Sequence, residues 1–326
     1  GPKDILIEID YSGICHSDIH SALNEHAAPG SKPLFPIIPG HEMAGHVVRM
    51  GSEVKKFAVG DLAGVGCFVD SCGECRECKR GLEQFCLVRD PVPNLLKDGR
   101  NFRGGYSNRI VVPERNAIKI PAGAELSRVA PLLCAGITVW SPIHFSKVKK
   151  GDTVGVAGFG GLGHMAVKYL ADLGAKVTVF DITEEKRDDA LRMGAERYVN
   201  MKQPEAAGGL ADSFDFIIST IPSDYRLTDY AKLLKYGAGE LAVVGLPPTA
   251  SVKILELLAV PHRKIYTSVV GGIGEHQECM DYSVAHGIYP EVKIIPATPE
   301  ALKEAYQNVI DGKVKFRYVI DMKTLK

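Results

Sequence analysis

Four of the eight cysteines in this 326-residue chain, Cys72, Cys75, Cys78 and Cys86, are crowded into one short stretch. Their spacing is Cys-x2-Cys-x2-Cys-x7-Cys, and Gly73 and Gly81 ease the turns between them. Four thiolates on one lobe close a tetrahedral zinc shell and leave no open position, the pattern of a structural metal. A nucleic-acid zinc ribbon fits less well, because it has two separated CxxC pairs in a basic surround. Crowded cysteines in an otherwise cytosolic composition also argue for metal or catalysis over a disulfide framework.

A second chemical signature is Gly158-Phe159-Gly160-Gly161-Leu162-Gly163, which follows an expected strand and opens an expected helix. In that setting Gly158 permits a tight turn, Gly160 lets the backbone approach a pyrophosphate, and Gly163 lets helix pack closely on strand. The phosphates then sit at the helix N-terminus. The next strand, Lys176 to Phe180, ends at Asp181, near the offset expected of an acid that binds the adenosine ribose hydroxyls. A carboxylate there repels a 2'-phosphate and tilts the choice toward NAD. Lys186 and Arg187, just beyond, offer charge to such a phosphate or form the solvated face of a helix, so NADP stays open.

The elements that position these residues fall into two textures. Residues 1 to about 122 are rich in Gly, Pro and short β-type runs such as Ile5 to Ile9, His46 to Met50 and Arg109 to Pro113. From about Asp152, apolar strands alternate with helices: Thr153 to Ala157, Leu162 to Leu173, Lys176 to Phe180, Glu184 to Met193. Further strands are expected at Phe214 to Thr220, Leu241 to Gly245 and Ile265 to Val270, with a helix at Tyr225 to Leu234. The fold class is therefore α/β, a doubly wound parallel Rossmann sheet beside an irregular β-rich domain. The tail, a helix at Pro299 to Ile310 and a strand at Tyr318 to Asp321, returns to the first domain and leaves a cleft between the halves. The division is 1–122 with 268–326, and 123–267.

With 39 basic and 39 acidic residues the charges balance, which favours a small-molecule substrate over nucleic acid or an anionic membrane. No stretch approaches a membrane span and no signal peptide opens the chain, so the cytoplasm is the expected compartment. The start, Gly1 to Ile9, runs from a turn straight into a strand, so a preceding segment is expected.

Several phrases together resemble the zinc-containing medium-chain dehydrogenases, and within them the cinnamyl alcohol dehydrogenase group. They are Cys15-His16-Ser17-Asp18, Gly40-His41-Glu42, Val65-Gly66-Cys67 leading into the four-cysteine lobe, Ala130 to Gly136 around Cys134, and Gly158 to His164. The resemblance covers nearly the whole chain and implies that the β-rich domain is GroES-like. It implies that Cys15, His41 and Cys134 bind a catalytic zinc, while the four-cysteine lobe binds a structural one. Two thiolates and an imidazole leave a coordination place open for water or substrate. Spacing alone does not group those three residues. Cys67 and Cys279 read as ordinary buried thiols.

The chemistry so implied is hydride transfer between a primary alcohol or aldehyde and NAD(P). Zinc lowers the pKa of the alcohol so that a zinc-bound alkoxide forms, and in reverse it polarises the carbonyl. The resemblance assigns Ser17 to take the proton and His20 to deliver it to solvent by way of the cofactor ribose. Histidine suits that outer place because its ordinary pKa lies near 6.5. Asp18 is expected to orient the His41 ring, and Glu42 to act on zinc or its water; either could instead be a structural ion pair. His16, His26 and His46 keep a packing or surface reading.

Asp181 departs from the cinnamyl group, whose pattern has a small hydroxylated residue there and implies NADP. The segment Leu87 to Phe102 matches no motif, is placed along the substrate funnel, and has no tryptophan, so aromatic substrates are not assumed. A polyol dehydrogenase is a rival, but its pattern has glutamate where Cys134 stands. A non-catalytic, crystallin-like relative is disfavoured by the intact ligand set with Ser17 and His20. A homodimer, formed where the strand near Ile265 to Val270 extends one sheet into its partner's, is also implied by resemblance.

Overall fold

The opening segment places isoleucine at every second position, Ile5, Ile7 and Ile9, and that period of two makes it a strand with one buried face. In the computed structural model, which describes residues 1–25, 35–88, 90–91, 104–203, 205, 207–247, 250–251, 254–258 and 260–326, it runs Asp4–Ile14. Ile5, Ile7 and Ile9 point into the core. His26 and most of Leu87 to Phe102 lie outside the described residues.

Asp4–Ile14 is the central strand of a seven-stranded sheet. Along one edge it pairs antiparallel with Met43–Met50, with register breaks after Leu6 and Ile9. Its other edge is divided, the first half pairing with Arg109–Pro113 and the second with Arg317–Asp321. Irregularities of this kind add local twist and let one strand serve several partners. Val292–Pro296 then lies parallel to Arg317–Asp321 at the sheet edge.

This register brings distant residues together. Ser12 faces Met43, and the Gly13 amide donates to the Glu42 carbonyl at 2.9 Å, so the chain ends carrying Cys15 and His41 emerge side by side. Cys134 closes the short helical turn Ala130–Leu133, whose Leu133 packs over Gly64 on the strand Leu62–Val65.

The second sheet is wholly parallel, in the order Arg197–Asn200, Lys176–Asp181, Thr153–Ala157, Phe216–Ser219, Glu240–Val243, Lys264–Thr267. Numbered along the chain this is 3-2-1-4-5-6, the doubly wound order whose switch point lies between the first and fourth strands. Apolar β-branched runs such as Thr153–Ala157 are buried on both faces, as a covered parallel sheet requires.

The chain divides into two compact units, Gly1–Ile137 with Val270–Lys326, and Thr138–Val269. The first boundary therefore falls some fifteen residues beyond 122, because Leu126–Val129 and Ala130–Leu133 pack on strands of the first sheet. The helix expected at Tyr225 to Leu234 is a single turn, Thr228–Ala231. Its first residues instead form a two-residue strand, with Tyr225 taken up by a hydrogen bond from Ser219 Oγ at 3.0 Å. The helix Ile273–His286 was not expected. Its buried face is His276, Cys279, Met280 and Ser283, so polar residue types disguise a helical stripe.

Close approach at the glycine turn yields a stability prediction. A Cβ on Gly163 would lie 2.0 Å from the Gly158 carbonyl oxygen, which cannot move without opening the turn. Gly163→Ala should cost about 1–3 kcal/mol by urea denaturation, the usual range for overpacking. Unchanged stability would show that helix and strand can separate freely.

Candidate active site and metal centres

Asp18 is fully buried one turn into the helix His16–Leu23, and its carboxylate takes four donors. Oδ1 accepts from the Gly40 amide at 3.0 Å and from His41 Nδ1 at 2.9 Å. Oδ2 accepts from the Cys15 amide at 2.9 Å and from the Tyr106 phenol at 3.2 Å. The Cys15 contact is the reciprocal half of a helix-capping box. The same carboxylate thus fixes the segments before and after the strand pair. With Nδ1 donating to Asp18, Nε2 is the ring nitrogen turned toward the Cys15 side.

Ligand atoms of Cys15, His41, Glu42 and Cys134 all lie within 4.8 Å of one another. Sequence reasoning singled out all four, and the fold gathers them from three separate segments. Glu42 is fully buried; one carboxylate oxygen is ion-paired with Arg317 Nη2, and Oε2 has no hydrogen-bond partner among the described residues. Burial pushes the Glu42 carboxyl up to about 8, against the pull of the Arg317 guanidinium. The Cys15 thiol is held well below its ordinary value, chiefly by hydrogen bonding with Cys134. Two thiols, an imidazole and an orphaned buried carboxylate oxygen are a donor set that fits zinc. Cys67 is more than the ordinary buried thiol expected: it is largely buried, hydrogen-bonds with Cys134 and feels the charge of His41. Cys279 is buried.

Ser17 Oγ lies 3.7 Å from Cys15 Sγ at the start of the same helix. His20, one turn on, stacks on His16 with ring centroids 4.7 Å apart. Its Nδ1 pairs with Glu25 Oε2. Asn24 takes a left-handed conformation with φ 57°, and the Glu25 amide donates to the His20 carbonyl at 3.0 Å, which turns the glutamate back over the imidazole. His46 pairs with Asp10 at 2.9 Å, a packing role as expected.

The four sulfurs of Cys72, Cys75, Cys78 and Cys86 also cluster within 4.8 Å. Cys72 Sγ stands 3.8 Å from Cys78 Sγ and 3.6 Å from Cys86 Sγ. A tetrahedron with zinc–sulfur bonds of about 2.3 Å has edges of about 3.8 Å. The backbone amides of Glu74 and Cys75 point at Cys72 Sγ and bring its thiol down to about 6. That favours the thiolate a metal needs.

In the second unit Gly158 to Leu162 form the turn between the strand Thr153–Ala157 and the helix Gly163–Asp172. Thr220 Oγ1, from the end of the fourth strand, donates to the Gly158 carbonyl at 2.8 Å. Around Gly160, no atom lies within 4 Å of an added Cβ, so that side of the turn is open to a phosphate. Asp181 Oδ2 accepts from the Phe159 amide at 2.7 Å, while Oδ1 takes the Ile182 amide and the amide and hydroxyl of Thr183. The expected ribose acid therefore also ties down the glycine turn. Arg187 is engaged, with Nε on Glu184 at 2.7 Å and Nη1 on the Tyr198 carbonyl at 3.0 Å. Lys186 stands half-buried at the start of the helix Arg187–Arg192.

Two family models match the chain, the alcohol dehydrogenase GroES-like domain over residues 1–122 and the zinc-binding dehydrogenase over 161–284. Among curated relatives, NADP-dependent alcohol dehydrogenase C 1 of Mycolicibacterium smegmatis is 44% identical over 100% of this chain and 92% of its own length. The chain belongs to the zinc-type medium-chain alcohol dehydrogenase family. An aldehyde reductase of Escherichia coli is 42% identical with the same coverage. A solved structure described as CAD from Helicobacter pylori complexed with NADP(H) is 50% identical, with a TM-score of 0.91 over 99% of this chain and 91% of that one. A cinnamyl alcohol dehydrogenase of Sorghum bicolor superposes with a TM-score of 0.93 at 32% identity, over 100% and 92%.

Within this alcohol dehydrogenase fold, sequence reasoning missed Glu25, Tyr106, Arg317 and the place of Cys67. Tyr106 and Arg317 lie far along the chain from the residues they touch, so no spacing announces them. Glu25 was detectable, because it follows the helix stop at Asn24 and lies five residues after His20.

The four-donor carboxylate carries its own prediction. Asp18→Asn turns an acceptor into a donor facing buried donors, so the protein should lose about 2–4 kcal/mol in urea, measured with chelator present to remove any metal contribution. A loss below about 0.5 kcal/mol, the scale of an ordinary surface change, would mean that the segments are held by other contacts.

Proposed function

We propose that this chain moves a hydride between a primary alcohol or its aldehyde and a nicotinamide dinucleotide, using one zinc held by Cys15, His41 and Cys134. A second zinc, held by Cys72, Cys75, Cys78 and Cys86, is structural. The convergence of two thiols and an imidazole oriented by a buried carboxylate carries this reading. Zinc supplies Lewis acidity, which eases loss of the hydroxyl proton from an alcohol and polarises the carbonyl of an aldehyde.

The chain's own residues handle the proton. Ser17 Oγ accepts it from the substrate hydroxyl, and His20 passes it outward. Glu25 accepts from His20 Nδ1, which fixes the tautomer and makes Nε2 the basic nitrogen of the ring. Glu42, kept beside the ligands by Arg317, offers its unpaired Oε2 as a further oxygen donor at that centre.

The dinucleotide spans the turn Gly158, Gly160, Gly161, Leu162, Gly163, its phosphates on the open face beside Gly160. Relatives are named for NADP, and Lys186 stands half-buried just beyond the second strand, where it could offer charge to a 2'-phosphate. Against NADP, Asp181 places a buried carboxylate at the end of the second strand, and Arg187 is spent on Glu184 and Tyr198. Like charge against a 2'-phosphate tilts the choice toward NAD, while the resemblance to NADP-linked relatives pulls the other way. Two copies pair along the edge strand Lys264–Thr267, where Ile265 is partly exposed.

Cofactor choice is tested by kcat/KM with NADH and NADPH on a panel of simple aldehydes. The native enzyme should prefer NADH, and Asp181→Ser should move the ratio toward NADPH by about tenfold or more, the worth of about 1.4 kcal/mol. A native preference for NADPH that the substitution leaves unmoved would contradict the assignment.

A further inference from the structure

Tyr106 reaches Asp18 by a costly route. Gly105 donates to the Gly40 carbonyl and Tyr106 to the Pro39 carbonyl, both at 2.9 Å, so the segment is laced to the backbone just before His41. The approach is so close that a Cβ on Gly104 would lie 1.7 Å from the Ile38 carbonyl oxygen. What it delivers is the phenol donating to Asp18 Oδ2 at 3.2 Å.

Behind Tyr106 stands a second phenol. Tyr306 projects from the helix Pro299–Ile310 and donates to the Tyr106 oxygen at 3.4 Å, a long contact, with ring centroids 6.5 Å apart. Its helix is fixed by the Thr298 cap on the Ala301 amide, and Asn308 on the same helix donates to the Tyr318 phenol at 3.1 Å. Burial pushes both phenols above their ordinary range, so each keeps its proton and serves as a donor. The result is a one-way chain, Tyr306 to Tyr106 to Asp18, with His41 donating to the same carboxylate from the other side.

We propose that Tyr106 and Tyr306 are positioning residues for His41, holding the Asp18 carboxylate, and through it the imidazole, in the orientation that presents Nε2 to the metal. This rests on reading Cys15, His41 and Cys134 as a metal centre. Hydrogen bonds in series polarise one another, and partners of ligating histidines control metal retention. Without the Tyr106 hydroxyl, the carboxylate keeps three donors and gains freedom to swing. Tyr306 acts only through Tyr106, so its contribution vanishes once that hydroxyl is gone.

The test uses metal-loaded full-length protein with Tyr106→Phe, Tyr306→Phe and both together, each of which keeps the ring and its packing. Metal release to excess chelator is followed beside the visible spectrum of the cobalt-substituted enzyme. Tyr106→Phe should release the metal of the Cys15 centre about 10-fold faster, at the low end for such partners, and Tyr306→Phe about 3-fold faster. The double variant should match Tyr106→Phe alone, the signature of residues acting in series. Cobalt bands of the Cys15 centre should shift while those of the four-cysteine lobe stay in place.

A Tyr306→Phe effect that persists in full in the Tyr106→Phe background would overturn the proposal. So would unchanged release and spectra in Tyr106→Phe, even with a lowered Tm, since that pattern belongs to packing alone. Failure of the underlying reading shows itself separately, as native protein that binds no metal at the Cys15 centre before any substitution is made.

Discussion

One buried carboxylate organises the first unit. Asp18 draws the Cys15 amide, the Gly40 amide, the His41 imidazole and the Tyr106 phenol to a single point, from three separate stretches of backbone. A carboxylate buried this completely is tolerated only when its lone pairs are filled, and here four donors fill them. The antiparallel register of Asp4–Ile14 with Met43–Met50 brings the ligand-bearing ends near one another, and the carboxylate sets their geometry. Cys134 then meets them from the turn packed on the same sheet.

The device recurs where the fold has long loops. Asp181 ties the Phe159 amide of the glycine turn to the end of its own strand at 2.7 Å. Glu83, beside the four-cysteine lobe, accepts from the Ile273 amide at 3.0 Å and so anchors the start of the helix Ile273–His286. Glu114 takes the amides of Lys55 and Lys56. Charged acceptors on backbone amides are stronger than neutral pairs, which suits a domain whose irregular segments have few regular hydrogen bonds of their own.

Legibility in the sequence followed the range of the interactions. The parallel sheet was readable because each β-α unit is local, and Thr153–Ala157 and Arg109–Pro113 start and stop where their apolar runs do. The four-cysteine lobe was readable for the same reason. Cys15, His41 and Cys134 were not groupable from spacing, since strand register and a packed turn bring them together, and only the family resemblance supplied the set. Helix Ile273–His286 escaped because His276 and Ser283 occupy its buried face, although Glu275 three residues into the helix and Gly287 at its end mark its limits. The first compact unit runs on past 122 to Ile137, and nothing in the sequence of Leu126 to Leu133 says which sheet it will cover.

X-ray absorption at the zinc edge, on protein isolated with its metal, tests the account most directly. Four thiolates at one site and two at the other average to three sulfurs per zinc, at about 2.3 Å, with the remaining shell of nitrogen or oxygen at about 2.0–2.1 Å. The account predicts that average at two zincs per chain. One zinc per chain in an all-sulfur shell would mean that Cys15, His41 and Cys134 hold no metal, and would contradict it.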